Sequence, residues 1–231
     1  MDHSIRHIAF VPDGNRRWAG RRGLSPLLGH KSGYELIKSL TPLLKNYGIR
    51  YVTYYMFSIE NWSRSEEEVT YLMGIFRNFF SDIKGYVQEH DIRLVIIGDL
   101  ARLPADVTEK IALLEDSAKN NRSLTMVAAV SYGGRDEIVR AAGKVASDFA
   151  DGKITLDELD ENKFASYMDA PDLPYPDALV RTGEKRISNF LIWQTAYSEV
   201  FFVDKLWPDF NEEDLRAVIF EFSRRERRYG R

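Results

Sequence analysis

Six short runs of β-branched, aromatic and aliphatic residues recur along the chain, at 8–11, 51–57, 93–98, 124–132, 178–181 and 200–203. Longer segments of helical period separate most of them. Strands alternating with helices leave few solutions: a mostly parallel central sheet of about six strands, flanked by helices on both faces. The expectation is a single α/β domain spanning 1–231. In such sheets ligands bind beyond the carboxyl ends of the strands. The loops to examine are therefore those after Val11, Phe57, Tyr132 and Val180, and all four carry polar residues.

Helices are expected at 29–47, after Ser65, at 104–119, at 136–149, at 188–197 and at 211–227. Leu36, Leu40, Leu43 and Leu44 share one face of the first, which Pro42 is placed to kink. Ser65 with Glu68 three positions on has the form of a capping box, and Asn211 is a good N-cap. Residues 151–176 are acidic, contain Pro171, Pro174 and Pro176, and read as a surface excursion with one short helix.

Composition excludes several chemistries. There is no cysteine, hence no disulfide, thiolate metal site or thiol nucleophile. No apolar leader core opens the sequence and no apolar run reaches membrane-spanning length, so a cytoplasmic protein is expected. The net charge of -3 does not mark a nucleic-acid binder. Residues 1–50 nevertheless hold nine Lys/Arg against three acids, and residues 224–231 hold five arginines against Glu226. Positive charge concentrated in this way suits a localised anion site.

Three clusters fall in the loops of interest. In Asp13-Gly14-Asn15-Arg16-Arg17-Trp18, glycine allows close backbone approach and a helix start presents free N–H groups to phosphate. An acid among phosphate donors makes sense if it holds Mg²⁺. The same segment also reads as an Asp-Gly turn with surface arginines. Ser58 to Arg64 supplies Ser, Asn and Arg donors, or else caps a helix over a packed Trp62. Arg181 to Asn189 combines three cations, a glycine and a helix start, a second anion cradle. Two Arg-rich sites at one sheet edge fit a reaction between two phosphorylated substrates.

These segments resemble the cis-prenyltransferase family, whose best-known members are undecaprenyl diphosphate synthases. The Asp-Gly-Asn-x-Arg-Trp-Ala signature appears as Asp13 to Ala19, followed by Gly29-His30-Lys31-x-Gly33. Ser-x-Glu-Asn-Trp-x-Arg is Ser58 to Arg64, and Tyr132 to Arg135 matches a further block. Arg181 to Gln194, Glu199, Trp207 to Phe210 and a terminal Arg228-Tyr229-Gly230 complete the match. The resemblance implies a Mg²⁺-dependent transferase condensing isopentenyl diphosphate with an allylic diphosphate such as farnesyl or geranyl diphosphate. Carried over by position, Asp13 is the essential metal-linked carboxylate and Glu199 a second metal ligand. Gly14, Asn15, Arg16, Arg17 and Trp18 wrap the allylic diphosphate with His30 and Arg64. Asn61 assists proton removal, surrounded by Ser58, Glu60 and Trp62. Arg181, Arg186 and Ser188 bind isopentenyl diphosphate. Arg228 reaches across a homodimer interface. An apolar tunnel lined by Leu72, Ile75, Phe76, Phe79, Phe80, Met56 and Met126 takes the growing chain, although by themselves those residues read as ordinary core. A greasy product would bring the protein to a membrane surface.

The sequence departs from the family pattern at Pro26, where long-chain relatives place an arginine, and in a one-residue-shorter loop between Arg181 and Arg186. Lys185 stands near a metal-binding His of some relatives and cannot ligate a cation. Met56 is bulky where long-chain relatives have a small residue. Three readings stand: a long-chain, undecaprenyl-type synthase; a short, medium or irregular prenyl diphosphate synthase; and a non-catalytic partner subunit, against which Asp13, Asn61, Arg181 and Glu199 argue.

Overall fold

The computed structural model describes residues 5–225. Its six strands are β1 (His7–Val11), β2 (Tyr51–Ser58), β3 (Ile92–Ile97), β4 (Leu124–Tyr132), β5 (Ala178–Thr182) and β6 (Glu199–Val203). They form one sheet in the order β3-β4-β2-β1-β5-β6, with every pairing parallel. The helices are α1 (Asn15–Arg21), α2 (Pro26–Asn46), α3 (Glu66–Glu89), α4 (Ala105–Ala118), α5 (Gly134–Ala150), α6 (Glu161–Ala165) and α7 (Glu212–Arg224).

Strand residues alternate between two cores, as a twofold side-chain period requires. Ile8 and Phe10 join Leu40, Phe76, Ile83 and Ile219 in the larger one. Ala9 and Val11 join Tyr55, Tyr132, Phe190 and Leu191 in the smaller one.

The expected kink at Pro42 does not end α2. A proline leaves the carbonyl four residues back without its helical donor, and here Tyr86 Oη donates to the Lys38 carbonyl at 2.6 Å. Helix α3 begins as expected, with Ser65 Oγ accepting from the Glu68 N–H. The helix expected over 188–197 is absent, and that segment is a chain of turns. Ser188, Asn189 and Leu191 all have left-handed φ of 52°, 62° and 45°, which a right-handed helix cannot contain. Its apolar spacing has another cause: Phe190 stacks on Tyr55 at 4.5 Å and Leu191 is buried beside it.

His7 is buried at the start of β1, with Nδ1 2.6 Å from the Pro174 carbonyl and Nε2 2.7 Å from Thr53 Oγ1. Burial lowers its pKa from 6.5 to about 4. Between those values the unfolded chain binds a proton that the folded chain refuses, so stability rises with pH across the window. The contribution is complete above pH 6.5 and is lost as pH falls toward 4. From His7 alone, moving from pH 6.5 to pH 5 should cost about 2 kcal/mol in urea unfolding. A His7→Gln variant with the same pH slope would refute the assignment.

Candidate active site

Strand order reverses its direction of travel between β1 and β5. The chain leaves β1 toward β2 on one side and leaves β5 toward β6 on the other. Such a switch point opens a crevice at the carboxyl ends of the two strands. Asp13 and Arg181 stand there. Arg181 is the register partner of Val11, and its Nη2 donates to Asp13 Oδ2 at 2.7 Å. The Asp13 N–H donates to Thr182 Oγ1 at 2.9 Å, and Arg17 Nη2 lies 3.2 Å from the same carboxylate oxygen. The Arg181 side chain is only 5% exposed and that of Asp13 29%. The cation is therefore buried beneath a carboxylate that reaches open space. Burial pulls the Arg181 pKa down, opposed by Asp13 and Glu184, but a guanidinium starts so high that it stays charged.

Gly14 turns the chain into α1 with φ of 98°, where a Cβ would lie 2.5 Å from Leu206 Cδ2. Helix α2 packs against the start of α1 through Gly29 and Gly33. A Cβ at Gly29 would lie 2.1 Å from the Asn15 carbonyl oxygen, and one at Gly33 2.6 Å from Asn15 Oδ1. That close approach explains the Gly-His-Lys-x-Gly pattern and brings His30 to the cleft. Asn15 Oδ1 is buried without a hydrogen-bond donor. His30 is lowered to about 4, first by burial and then by the Arg64 cation, against the opposing Glu68 carboxylate. It is neutral at pH 7 and offers one donor and one acceptor.

Strand β2 slips register against β4 between Tyr55 and Phe57, leaving Met56 as the extra residue of a bulge. Bulges re-aim side chains beside active sites, and Met56 lines the cleft. Asn61 Oδ1 accepts from the Ser58 N–H at 3.1 Å, closing the one-turn helix after β2. Arg64 donates to Glu68 at 2.8 Å, and the same carboxylate accepts from Arg16 at 3.1 Å. On the β5 side Arg181 Nη1 donates to Ser188 Oγ at 3.1 Å, and Arg186 pairs with Glu184.

The resulting cleft has a volume of about 1030 Å³. It gathers Asp13, Gly14, Asn15, Arg16, Arg17, His30, Ser58, Glu60, Asn61, Arg64, Arg181, Arg186 and Ser188 from the sequence expectation. Its walls carry six arginines against three acids, a balance that favours a polyanion.

Several expected residues stand elsewhere. Trp18 is off the cleft wall: its Nε1 donates to Asp209 Oδ1 at 2.7 Å, tying α1 to the turn before α7. Trp62 lies beneath the loop, donating to Ser131 Oγ at 2.9 Å and packing edge-on against Phe57. Glu199 sits at the opposite, amino end of β6, opposite Ala178. Three residues of strand separate that level from Arg181, roughly 10 Å, and Glu199 accepts from Arg225 at 2.8 Å. Asp13 and Glu199 are therefore not brought together within one chain. Arg228 lies outside the described residues.

The expected tunnel stripe divides in the same way. Leu72, itself in the core, and Met56 line the cleft, whereas Phe76, Phe79, Phe80 and Met126 do not and are at most 5% exposed, and Ile75 packs against that core. Tyr34 closes the apolar end, with its ring 5.4 Å from Phe79 and 6.0 Å from Phe76.

Glu184, Arg135, Asn189 and Tyr34 are cleft residues that the sequence reading left out. Glu184, Arg135 and Asn189 sit inside quoted motifs, so the signal was present for them. Tyr34 lies one residue past the Gly-His-Lys-x-Gly pattern and had no local mark.

The chain matches the family model described as putative undecaprenyl diphosphate synthase over residues 11–230. It is 40% identical to the Micrococcus luteus ditrans,polycis-undecaprenyl-diphosphate synthase ((2E,6E)-farnesyl-diphosphate specific), over 97% of this chain and 91% of the relative. A Thermoplasma acidophilum tritrans,polycis-undecaprenyl-diphosphate synthase (geranylgeranyl-diphosphate specific) is 42% identical over 98% of this chain and 89% of its own. Among solved structures, lavandulyl diphosphate synthase from Lavandula x intermedia in complex with dimethylallyl diphosphate superposes with a TM-score of 0.94 at 35% identity, covering 98% of each chain. With motifs, sheet order and cleft in agreement, the chain belongs to the prenyltransferase family of undecaprenyl diphosphate synthases.

Proposed function

We propose that this protein condenses isopentenyl diphosphate with an allylic diphosphate at the β1/β5 switch point, forming a cis double bond and releasing diphosphate. The observation that carries the reading is the Asp13–Arg181 contact at 2.7 Å beneath a cleft with surplus arginine. Two diphosphates fit the two sides of that contact. Gly14, Asn15, Arg16, Arg17, His30 and Arg64 hold the allylic one, and Arg181, Arg186 and Ser188 hold that of isopentenyl diphosphate.

In the reaction the allylic C–O bond breaks and its electron pair leaves with diphosphate. The terminal alkene carbon of isopentenyl diphosphate forms the new C–C bond, and a proton is lost from the neighbouring methylene. Fixed guanidinium groups stabilise the charge that gathers on the departing diphosphate. Asn61, whose Oδ1 is engaged by the Ser58 N–H, is positioned by that bond to assist proton removal beside the second substrate. Apolar side chains at the far end, including Leu72, Met56 and Tyr34, surround the hydrocarbon.

Among the described residues no cluster of three His, Cys, Asp or Glu side chains offers a protein-only metal cage. Mg²⁺ commonly uses one or two carboxylates plus substrate phosphates, and Asp13, partly exposed at the cleft, fits that mode. Mg²⁺ there would supply charge neutralisation for the leaving diphosphate.

A short or irregular product is favoured over a long one by Met56, Tyr34 and the filled core behind them. We also propose a homodimer, supported by the exposed edge residues Phe202 and Tyr197 beside β6. Contact with a membrane surface is supported by exposed Leu24, Leu27 and Leu28, which flank in sequence the cleft residue Pro26. Among the described residues no helix is long and apolar enough to cross a membrane.

Purified protein with Mg²⁺, isopentenyl diphosphate and dimethylallyl, geranyl or farnesyl diphosphate should release diphosphate, with product lengths read by mass. Failure with every allylic primer would remove the enzymatic reading.

A further inference from the structure

The loop that carries Arg186 and Ser188 is held in an unfavourable backbone conformation. Ser188, Asn189 and Leu191 have φ of 52°, 62° and 45°, a region that side chains with a Cβ enter at a cost. Something outside the loop must hold it, and the contacts converge on Asn189. Its Nδ2 donates to Glu60 Oε1 at 2.8 Å, in the Ser58–Arg64 loop. Its Oδ1 accepts from the Arg135 N–H at 2.9 Å, and its backbone carbonyl accepts from the Gly134 N–H at 2.7 Å. The first turn of α5 is shaped to admit it: a Cβ on Gly133 would lie 2.9 Å from Asn189 Nδ2.

We propose that Asn189 is a positioning residue that locks together the loops after β2, β4 and β5. Through it, the diphosphate cradle of Arg181, Arg186 and Ser188 keeps a fixed distance from the loop bearing Asn61 and Arg64. The inference rests on the condensation reading above. No bond in this device touches the reacting atoms. Its effect falls on the placement of the second substrate, and small misplacements of bound reactants are expensive in rate.

The bond has a polarity that can be reversed. Asn189→Asp keeps an acceptor for the Arg135 N–H and tolerates the left-handed backbone, but it sets a carboxylate against Glu60. Adding Glu60→Gln restores a donor to face the new acceptor. Asn189→Gly relieves the backbone and deletes both side-chain bonds, leaving only the backbone bond to Gly134.

The test is steady-state kinetics of the full chain with isopentenyl diphosphate and an allylic primer, alongside thermal melts. Asn189→Gly and Asn189→Asp should each raise KM for isopentenyl diphosphate about tenfold, the loss of one hydrogen bond to a charged group. KM for the allylic primer should stay within about threefold, and melting within about 3 °C of the wild type. The double variant Asn189→Asp with Glu60→Gln should recover most of the loss, a coupling that an independent structural role would not produce. Unchanged KM in Asn189→Gly, or no recovery in the double variant, would overturn the proposal while leaving wild-type turnover intact. Absence of wild-type turnover would instead remove the reading beneath it.

Discussion

Replacing Asp13 with alanine or asparagine should lower diphosphate release by at least about a thousandfold, the scale of losing a preorganised electrostatic group. The two substitutions separate its two tasks. Asp13 anchors the buried Arg181 at 2.7 Å, and it presents a charge to the cleft. Asparagine keeps an oxygen for Arg181 but loses the charge needed to hold a cation against diphosphate. Alanine loses both. If charge at the cleft is what matters, the two variants should be nearly equally inactive. Stability should divide them: asparagine should melt close to the wild type, while alanine should melt lower because Arg181 loses a partner. Glu184 at 3.4 Å and Ser188 at 3.1 Å limit that loss. Diphosphate release and thermal melts on both variants decide the matter. Near-normal turnover in Asp13→Asn would make Asp13 only an anchor for Arg181.

The largest expected loss of stability lies on the other face of the sheet. Glu137 is 1% exposed, and its carboxylate accepts from the Tyr132 hydroxyl, from Gln194 Nε2 at 3.0 Å and from the Asp169 N–H at 2.9 Å. Burial raises its pKa, while those donors act in the opposite direction. Asp169 extends the network, accepting from Arg140 at 2.7 and 2.8 Å and from the Gly98 N–H at 3.0 Å. Glu137→Ala strands the buried Tyr132 hydroxyl and the part-buried Gln194 and Asp169 donors, and opens a cavity. Leaving such groups unpaired costs about 3–5 kcal/mol, which in a chain of this size lowers melting by about 10 °C or more. Melting within about 2 °C of the wild type would show that water or repacking replaces the network. Since Gln194 lies in the turn segment that carries Asn189, a weakened cleft should accompany the loss.

The two predictions bear on different kinds of knowledge. Asp13 was marked before any fold was known, by its place ahead of a glycine and two arginines and by the family resemblance, although the segment alone reads equally as an Asp-Gly turn. Glu137 was not visible. In sequence it is one acid in the first turn of α5, indistinguishable from the half-buried Asp136 beside it. Burial depends on what packs above, and here that is the segment around Gln194, far away in sequence.

The same distinction explains where the structure places residues differently from the sequence expectation. Apolar spacing at Phe190, Leu191 and Trp193 suggests a helix, but the aromatic ring of Tyr55 and the α5 start supply tertiary reasons for the same residues. Trp18 and Trp62 lie within site motifs, yet their indole N–H groups hold the motif loops from behind. Glu199 lies outside the Arg181–Gln194 block and enters its strand at the amino end, where parallel strands keep it away from the site at the carboxyl ends of its own chain.

The sequence by itself determined the parallel α/β sheet, because period-2 and period-3.6 patterns are local. It also determined the loops that carry chemistry, because glycine, carboxylate and guanidinium have local signatures. Only the tertiary structure decided that β1 and β5 lie side by side with their crossovers leaving in opposite directions, which sets Asp13 against Arg181. It alone decided that Asn189 joins three loops. Those are contacts between residues far apart along the chain, and no local preference records them.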